Sequence, residues 1–474
     1  MKKPNRVKAC LSLALILFLI SLTPAAPAGA QDNPPSGPVY IIQEGDTLWD
    51  IAQRFGVTMD ELQNANGITD PGKLSAGQQL IIPGLEGIQG TLTTQKISYG
   101  ETLFSLSRRY QVPVNTLARL NHLTSPSELY AGASLVVPEN TTTNQAGRRI
   151  ILSQGQSLLE LAVASGSDPW KLAQSNLLTA TWNILPGEVL RLPGSQEDGP
   201  GALPGQIEKV KVSPLPLVQG KTTVIQVSAQ SGITLTGSIT GHDLHFFPDQ
   251  DGKSYVAMQG IYAMQEPGLY PMTLKGVLSD GTAFGFSQMV YVVDGNYPVK
   301  QEPIPVDQAG LDPTVTKPED AEWMALAQPA TPQKMWDGKI KFPMPALFYD
   351  QYSSIFGVRR RYNDDPQVFF HTGLDMPSPV GTEVSVIAPG TVVFAGHLEV
   401  RGNAVMVDHG WGVYSSYMHL SEVKVQAGQH VDMGQVVGLV GNTGLRTTGS
   451  HLHWEMLVGD VQVDPVDWLE QVYP

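Results

Sequence analysis

Cysteine is all but missing from this chain: Cys10 is the single one in 474 residues. Beyond it neither a disulfide framework nor zinc-thiolate chemistry is available. It also precedes the apolar run from about Ala9 to Leu22 instead of following it, which is the wrong place for a lipoprotein anchor. Charge is scarce as well, 16% of residues against about 25% in an average domain. Cations are scarcer than anions, 30 Lys and Arg to 44 Asp and Glu, for a formal charge of −14. Such a chain has no electrostatic claim on nucleic acid or on an anionic membrane, so any grip on a partner must come from shaped sites. Long hydrophobic runs are confined to the N-terminus. There Lys2, Lys3, Arg6 and Lys8 precede an apolar core too short for a comfortable span, and Ala28-Gly29-Ala30 follows it. That is the pattern of an export signal with a small-x-small cleavage site, so residues 1–30 are set apart from the fold. Losing their four cations would take the charge from −14 to −18. No later run approaches a membrane span, which leaves an exported protein of the cell wall, periplasm or exterior.

Glycine (48) and proline (36) are plentiful, favouring turns and linkers over long helices. The length allows three or more domains, each able to bury an ordinary core. The expectation is a multidomain chain, mainly β towards its C-terminus.

Between Val39 and Gly194 the chain repeats itself. Gly45-Asp46-Thr47-Leu48, Gly100-Glu101-Thr102-Leu103 and Gly155-Gln156-Ser157-Leu158 are spaced by 55 residues, and Asn66, Asn121 and Asn176 keep that step. In the first unit a strand from Val39 to Gln43 leads to a helix capped at Asp46 or Thr47. A second helix starts near Met59, and Gln79 to Ile82 close as a strand. The order is strand, helix, helix, strand. With Asp46-Thr47-Leu48-Trp49-Asp50-Ile51-Ala52 this unit resembles the LysM module, a small α+β domain that takes N-acetylglucosamine-containing glycans. The resemblance implies repeats at 39–84, 95–139 and, in degenerate form, 149–194. Glycan contacts are expected at Gly45, Asp46, Thr47, Asn66, Gly67 and Ile68. The blander reading of the same residues is that Asp46 and Thr47 cap a helix and Asn66 makes a turn.

From 207 to 295 short alternating strands take over, for example Thr223 to Val227 and Met289 to Val293, with Asp251-Gly252 and Asp280-Gly281 as hairpin turns. These suggest an immunoglobulin-like β-sandwich acting as a spacer or docking unit. His242-Asp243-Leu244-His245 reads as a surface loop there. Residues 296–340 are rich in proline and read as a semi-extended tether with one short helix near Glu319 to Ala327.

Seven of the ten histidines fall between His371 and His453, where an even scatter would place fewer than two. In Gly449-Ser450-His451-Leu452-His453-Trp454-Glu455 the following alternation of Trp454, Met456 and Val458 predicts a strand, which puts His451 and His453 on one face. Upstream, Gly373, Pro377 and Pro379 exclude a helix around His371 and Asp375, so these two also face one way. Tyr414 to Leu420 is a third strand, bearing His419. Imidazole with carboxylate is a donor set that suits Zn²⁺, and a catalytic zinc keeps three protein ligands with one open position. Five candidate groups are two more than the metal needs.

With Ser354-Ile355-Phe356-Gly357-Val358-Arg359, His409-Gly410 and Gly441-Asn442-Thr443-Gly444, these residues resemble the lysostaphin-type zinc metallopeptidases, peptidoglycan endopeptidases marked by His-x-x-x-Asp and a later His-x-His. The resemblance covers roughly 341–474 and implies a groove-bearing antiparallel sheet. It makes His371, Asp375 and His453 the zinc ligands and His419 and His451 the catalytic pair, their separate roles open. Glu455 is a candidate to hold a ligand imidazole, or is a plain strand carboxylate. His409 stands beside a glycine turn and is a candidate cleft residue. The implied activity is zinc-dependent hydrolysis of peptide cross-links in peptidoglycan, with the LysM repeats holding its glycan. Two other classes compete: a non-catalytic activator of cell-wall amidases, whose mark is missing ligands, and a glycan-binding envelope protein.

Overall fold

The computed structural model describes residues 37–474 apart from 86–87, 89, 140–146, 194–198, 230–231, 301–302, 306–309, 311, 364–367 and 446–448. The export signal at 1–30 lies outside the described residues. Among the described residues no helix is long and apolar enough to cross a membrane.

The three repeats all fold as strand, helix, helix, strand, and the same small devices recur in each. Thr47, Thr102 and Ser157 cap their first helices by accepting from the backbone N–H three residues on. Asn66, Asn121 and Asn176 each pin the second helix to the closing strand: Asn66 Nδ2 donates to the Leu62 and Ile81 carbonyls while its Oδ1 accepts from Ile81 N–H. Asn121 and Asn176 make the corresponding bonds. The repeated asparagine is therefore explained by the fold. The first two repeats are fused, because the Val39–Ile41 strand pairs in parallel with Thr91–Lys96 and makes one four-stranded sheet.

Residues 207–293 form a five-stranded and a four-stranded sheet around one apolar core. Both expected glycine turns are present, with Gly252 and Gly281 at φ 63° and 84°. His242 to His245 form an edge strand and not a loop, pairing with Thr234–Ile239.

The segment from 296 to 340 is not a free tether. Pro313–Leu326 is a 14-residue helix, longer than the one expected, and its Trp323 is fully buried against Ala404, Met406, Tyr414, Met418 and Leu457. Tertiary burial overrode what composition alone suggests here, with Trp323 and Glu319 of the helix both buried where it docks. The adjoining unit is docked too. Phe247 stacks on Trp411 at 5.5 Å, Lys221 pairs with Asp464 and Asp467, and Val256 and Met258 share the core of the C-terminal unit.

The C-terminal unit is a nine-stranded antiparallel sheet in which Leu374–Pro377, His451–Val458, Val413–Val423, Gly402–Asp408 and Gly390–Leu398 lie side by side. Strand alternation gives it two faces. Trp454, Met456 and Val458 enter the main core, whereas His453, Glu455 and Leu457 point to the face covered by the Pro313–Leu326 helix.

Candidate metal centre

The site begins with register. Asp375 lies opposite His453 across one strand pair, and Met418 lies opposite His453 across the other. His371 enters from just ahead of the Leu374–Pro377 strand. Gly373 is what permits this approach: a Cβ there would fall 2.8 Å from His453 Nε2 and closer still to the Trp454 carbonyl oxygen.

Asp375 Oδ1 is 2.9 Å from His371 Nε2, 2.7 Å from His453 Nδ1 and 3.6 Å from His451 Nε2. The nitrogens of His371 and His453 are themselves 3.1 Å apart. His371, Asp375 and His453 can thus present three ligand atoms within 4.8 Å of one another. The remaining ring nitrogens are committed elsewhere. Nδ1–H of His371 donates to the Ile355 carbonyl at 2.9 Å, that of His419 to Thr443 at 2.8 Å and that of His451 to Gly449 at 2.8 Å, leaving each Nε2 as a lone pair. His453 is wired in the opposite sense, Nδ1 to the cluster and Nε2 towards Glu455 Oε1 at 3.3 Å.

Burial pushes His371 down to about 4 despite Asp375, and burial with the neighbouring His453 and His451 takes His419 down to about 3. For His453 burial opposes charge, yet Asp375 and Glu455 prevail and raise it to about 9. Asp375, though buried, is held well below the usual carboxylate range by His371 and His453. Against burial, the His453 bond and the Arg401 charge bring Glu455 down to about 2. Two buried carboxylates thus flank one imidazole, and once His453 Nδ1 gives up its proton it joins His371 Nε2 and Asp375 Oδ1 as a third donor where a divalent cation would sit. The residues present fit a metal ion.

His419 reaches the cluster by an irregularity. Alternation from Tyr417, which is in the main core, would send His419 to that same core face. Between the pairs Val405–Tyr417 and Asn403–Leu420, however, two residues oppose one, and His419 takes a left-handed φ of 60°. The bulge turns its ring onto the metal face, 5.0 Å from His451 and 5.9 Å from His453.

The cluster lies on the wall of a cleft of about 690 Å³. Lys317 and Met324 of the Pro313–Leu326 helix, Tyr262 of the preceding two-sheet unit, and Arg360 and Phe370 of the hairpin before His371 supply the other walls. The sequence gives no sign of Lys317 and Met324 at the cleft, because nothing in a proline-rich stretch marks its residues as part of a distant site.

The other candidates fall elsewhere, except that His242 lines the same cleft. His409 does not line the cleft; it is buried between the Pro389 carbonyl and Ser415 Oγ, each at 2.8 Å. His397 is exposed and bonded to Asn403, and His430 is exposed. His242 pairs with Asp460 at 3.0 Å. In the first repeat, Asp46 accepts from Tyr40, Gln43 and Arg54, Thr47 caps a helix, and Gly67 ends one at φ 63° beside Ile68. Gly45 turns at φ 88°.

Burial lowers His409 to about 4 from an ordinary 6.5. The unfolded chain therefore takes up that proton first, and stability is intact above pH ~6.5 and is lost as pH falls towards ~4, at ~1.4 kcal/mol per pH unit. Between pH 6.5 and 5 the wild type should lose about 2 kcal/mol more than His409→Gln in denaturant unfolding. Equal losses would refute a buried neutral imidazole here.

A strand-borne His/Asp/His cluster in a cleft, with two further imidazoles beside it, defines a metal-peptidase type of centre. Residues 369–465 match the model of Peptidase family M23, and residues 40–83 and 96–138 match that of the LysM domain. The chain thus carries an M23 peptidase domain and two LysM domains; the third repeat lies outside the matched residues. A DD-carboxypeptidase/endopeptidase Mpg of Neisseria meningitidis serogroup B is 41% identical over 138 residues, 27% of this chain and 31% of the relative. The peptidoglycan DD-endopeptidase ShyA of Vibrio cholerae serotype O1 is 42% identical over 106 residues, 22% of this chain and 24% of the relative. The chain therefore matches about a quarter to a third of the length of these relatives. Among solved structures, the catalytic domain of lysostaphin from Staphylococcus simulans is 26% identical with a TM-score of 0.21, covering 32% of this chain and 98% of that one.

Proposed function

We propose that this chain is an exported zinc-dependent endopeptidase that hydrolyses the peptide cross-links of bacterial peptidoglycan and is held on the wall by its LysM repeats. One observation carries the reading: two imidazole nitrogens and a carboxylate meet at one point of a cleft wall, beside two more imidazoles whose Nε2 atoms are free. Zinc on His371, Asp375 and His453 would supply a Lewis acid and a bound water with its pKa lowered towards ~7. His419 and His451, the catalytic pair, each hold Nδ1–H on a backbone carbonyl, which leaves Nε2 for the reaction. One Nε2 would take the proton of the attacking water, and the other, carrying a proton as an imidazolium, would donate to the developing oxyanion. The filled ligand set argues against a non-catalytic amidase activator. The 207–295 unit is read as an immunoglobulin-like sandwich that fixes the cleft's second wall. Glycan contacts are assigned to the Gly45–Thr47 and Asn66–Ile68 turns of the first repeat. There the Asp46, Thr47 and Asn66 side chains serve the fold, so backbone groups and the exposed Trp49 (58%) remain for sugar.

The test is purified peptidoglycan incubated with the full chain. New amino termini should appear, vanish with a chelator and return with added Zn²⁺. A zinc-loaded chain that releases none would sink the proposal.

A further inference from the structure

The peptidase match starts at 369, yet the buried groups around the cluster do not stop there. Glu455 has both oxygens engaged. Oε1 faces His453 Nε2 at 3.3 Å, and Oε2 accepts from Ser416 Oγ at 3.3 Å and from Trp323 Nε1 at 3.2 Å. Trp323 belongs to the Pro313–Leu326 helix, 132 residues away in sequence. That helix is pinned where it meets the sheet: Glu319 accepts from the Val400 and Arg401 backbone at 2.8 and 3.1 Å and from Arg401 Nη1 at 2.9 Å. Asp320 pairs with Arg401 Nη2 at 2.7 Å, and the Arg401 guanidinium lies 5.2 Å over the Trp323 ring. Phe394 meets that ring edge-on at 5.7 Å.

We infer that Trp323 is a positioning residue for the metal centre: its indole N–H holds the Glu455 carboxylate in the orientation that aims His453 Nδ1 at Asp375 and His371. The inference rests on the metal-site reading above. A buried tryptophan needs some acceptor for its N–H, and any backbone carbonyl would serve packing alone. Here the acceptor is instead the carboxylate that fixes the ring orientation and tautomer of a ligand histidine. Partners of that kind typically carry 10–100-fold in metal affinity. Glu455 is buried at 1% exposure and Trp323 at 0%, so the bond between them is shielded from bulk water. With the N–H gone, the carboxylate keeps the Ser416 bond at 3.3 Å and the Thr372 side chain's bond but loses the donor that enters from the helix, and it gains freedom to turn. The helix would then be part of the catalytic unit, although it lies outside the segment that the family model matches.

The test is Zn²⁺ titration of the full chain against a chromogenic chelator, well below the unfolding temperature, with melting of the metal-free protein measured alongside. Trp323→Phe keeps an aromatic ring and deletes the N–H. Replacing Trp323 by benzothienylalanine keeps the full bicyclic shape and does the same, should the phenylalanine variant pack poorly. Each should weaken zinc binding about tenfold or more. In a Glu455→Gln background the same replacements should weaken it little further, because the two act in series. Wild-type zinc affinity in both variants, or equal losses in both backgrounds, would overturn the inference. A wild type that takes up no zinc would overturn it together with the metal site. Zinc uptake that depends on Trp323 without any cleavage would support it and sink the endopeptidase reading alone.

Discussion

His453→Ala should abolish zinc uptake and lower release of amino termini from peptidoglycan about a thousandfold or more. A metal that polarises the carbonyl and acidifies its water supplies several kcal/mol of transition-state stabilisation, and about 4 kcal/mol corresponds to a factor of ~10³. The variant should also melt earlier. His453 is the partner that Asp375 and Glu455 share at 2.7 and 3.3 Å, and stripping one partner from a buried charged cluster costs roughly 3–5 kcal/mol. Metal content by elemental analysis, cleavage rate and melting temperature check the three parts. Retained zinc with normal cleavage would remove His453 from the ligand set.

The second large effect separates chemistry from metal binding. His451→Ala and His419→Asn should keep one zinc per chain while kcat falls by about 10²–10⁴, with KM little changed, as expected for loss of a proton-transfer or oxyanion group. Asparagine is chosen at 419 because the backbone there is left-handed at φ 60°, a conformation asparagine tolerates better than most residues. A kcat within a few-fold of wild type in either variant would take that histidine out of the catalytic pair. Loss of zinc in either would move it among the ligands.

The repeats, the strand-rich character of the C-terminal unit and the shared face of His451 and His453 are legible in the sequence because each depends on local periodicity. A 55-residue step shows self-similarity directly, and alternation of two states which side chains share a face. The 296–340 segment departs from a free tether for the complementary reason. Proline content reports local stiffness, and it says nothing of Trp323, which finds its surroundings only when Tyr414, Met418 and Leu457 assemble from other strands. His409 shows the same limit, since a histidine beside a glycine turn can face a cleft or a carbonyl, and here Pro389, twenty residues back, decides.

By itself, then, the sequence determined the modular order, the chemistry of the donor set and the faces of regular strands, all properties that propagate over a few residues. Tertiary structure alone decided that His371 and His453 meet within 3.1 Å, that a helix from outside the matched segment backs Glu455, and that the His419 ring lies beside those of His451 and His453. By simple alternation His419 points into the wrong core. A one-residue bulge, stabilised only once three strands have paired, turns it round, and no local pattern in the chain encodes a long-range register shift.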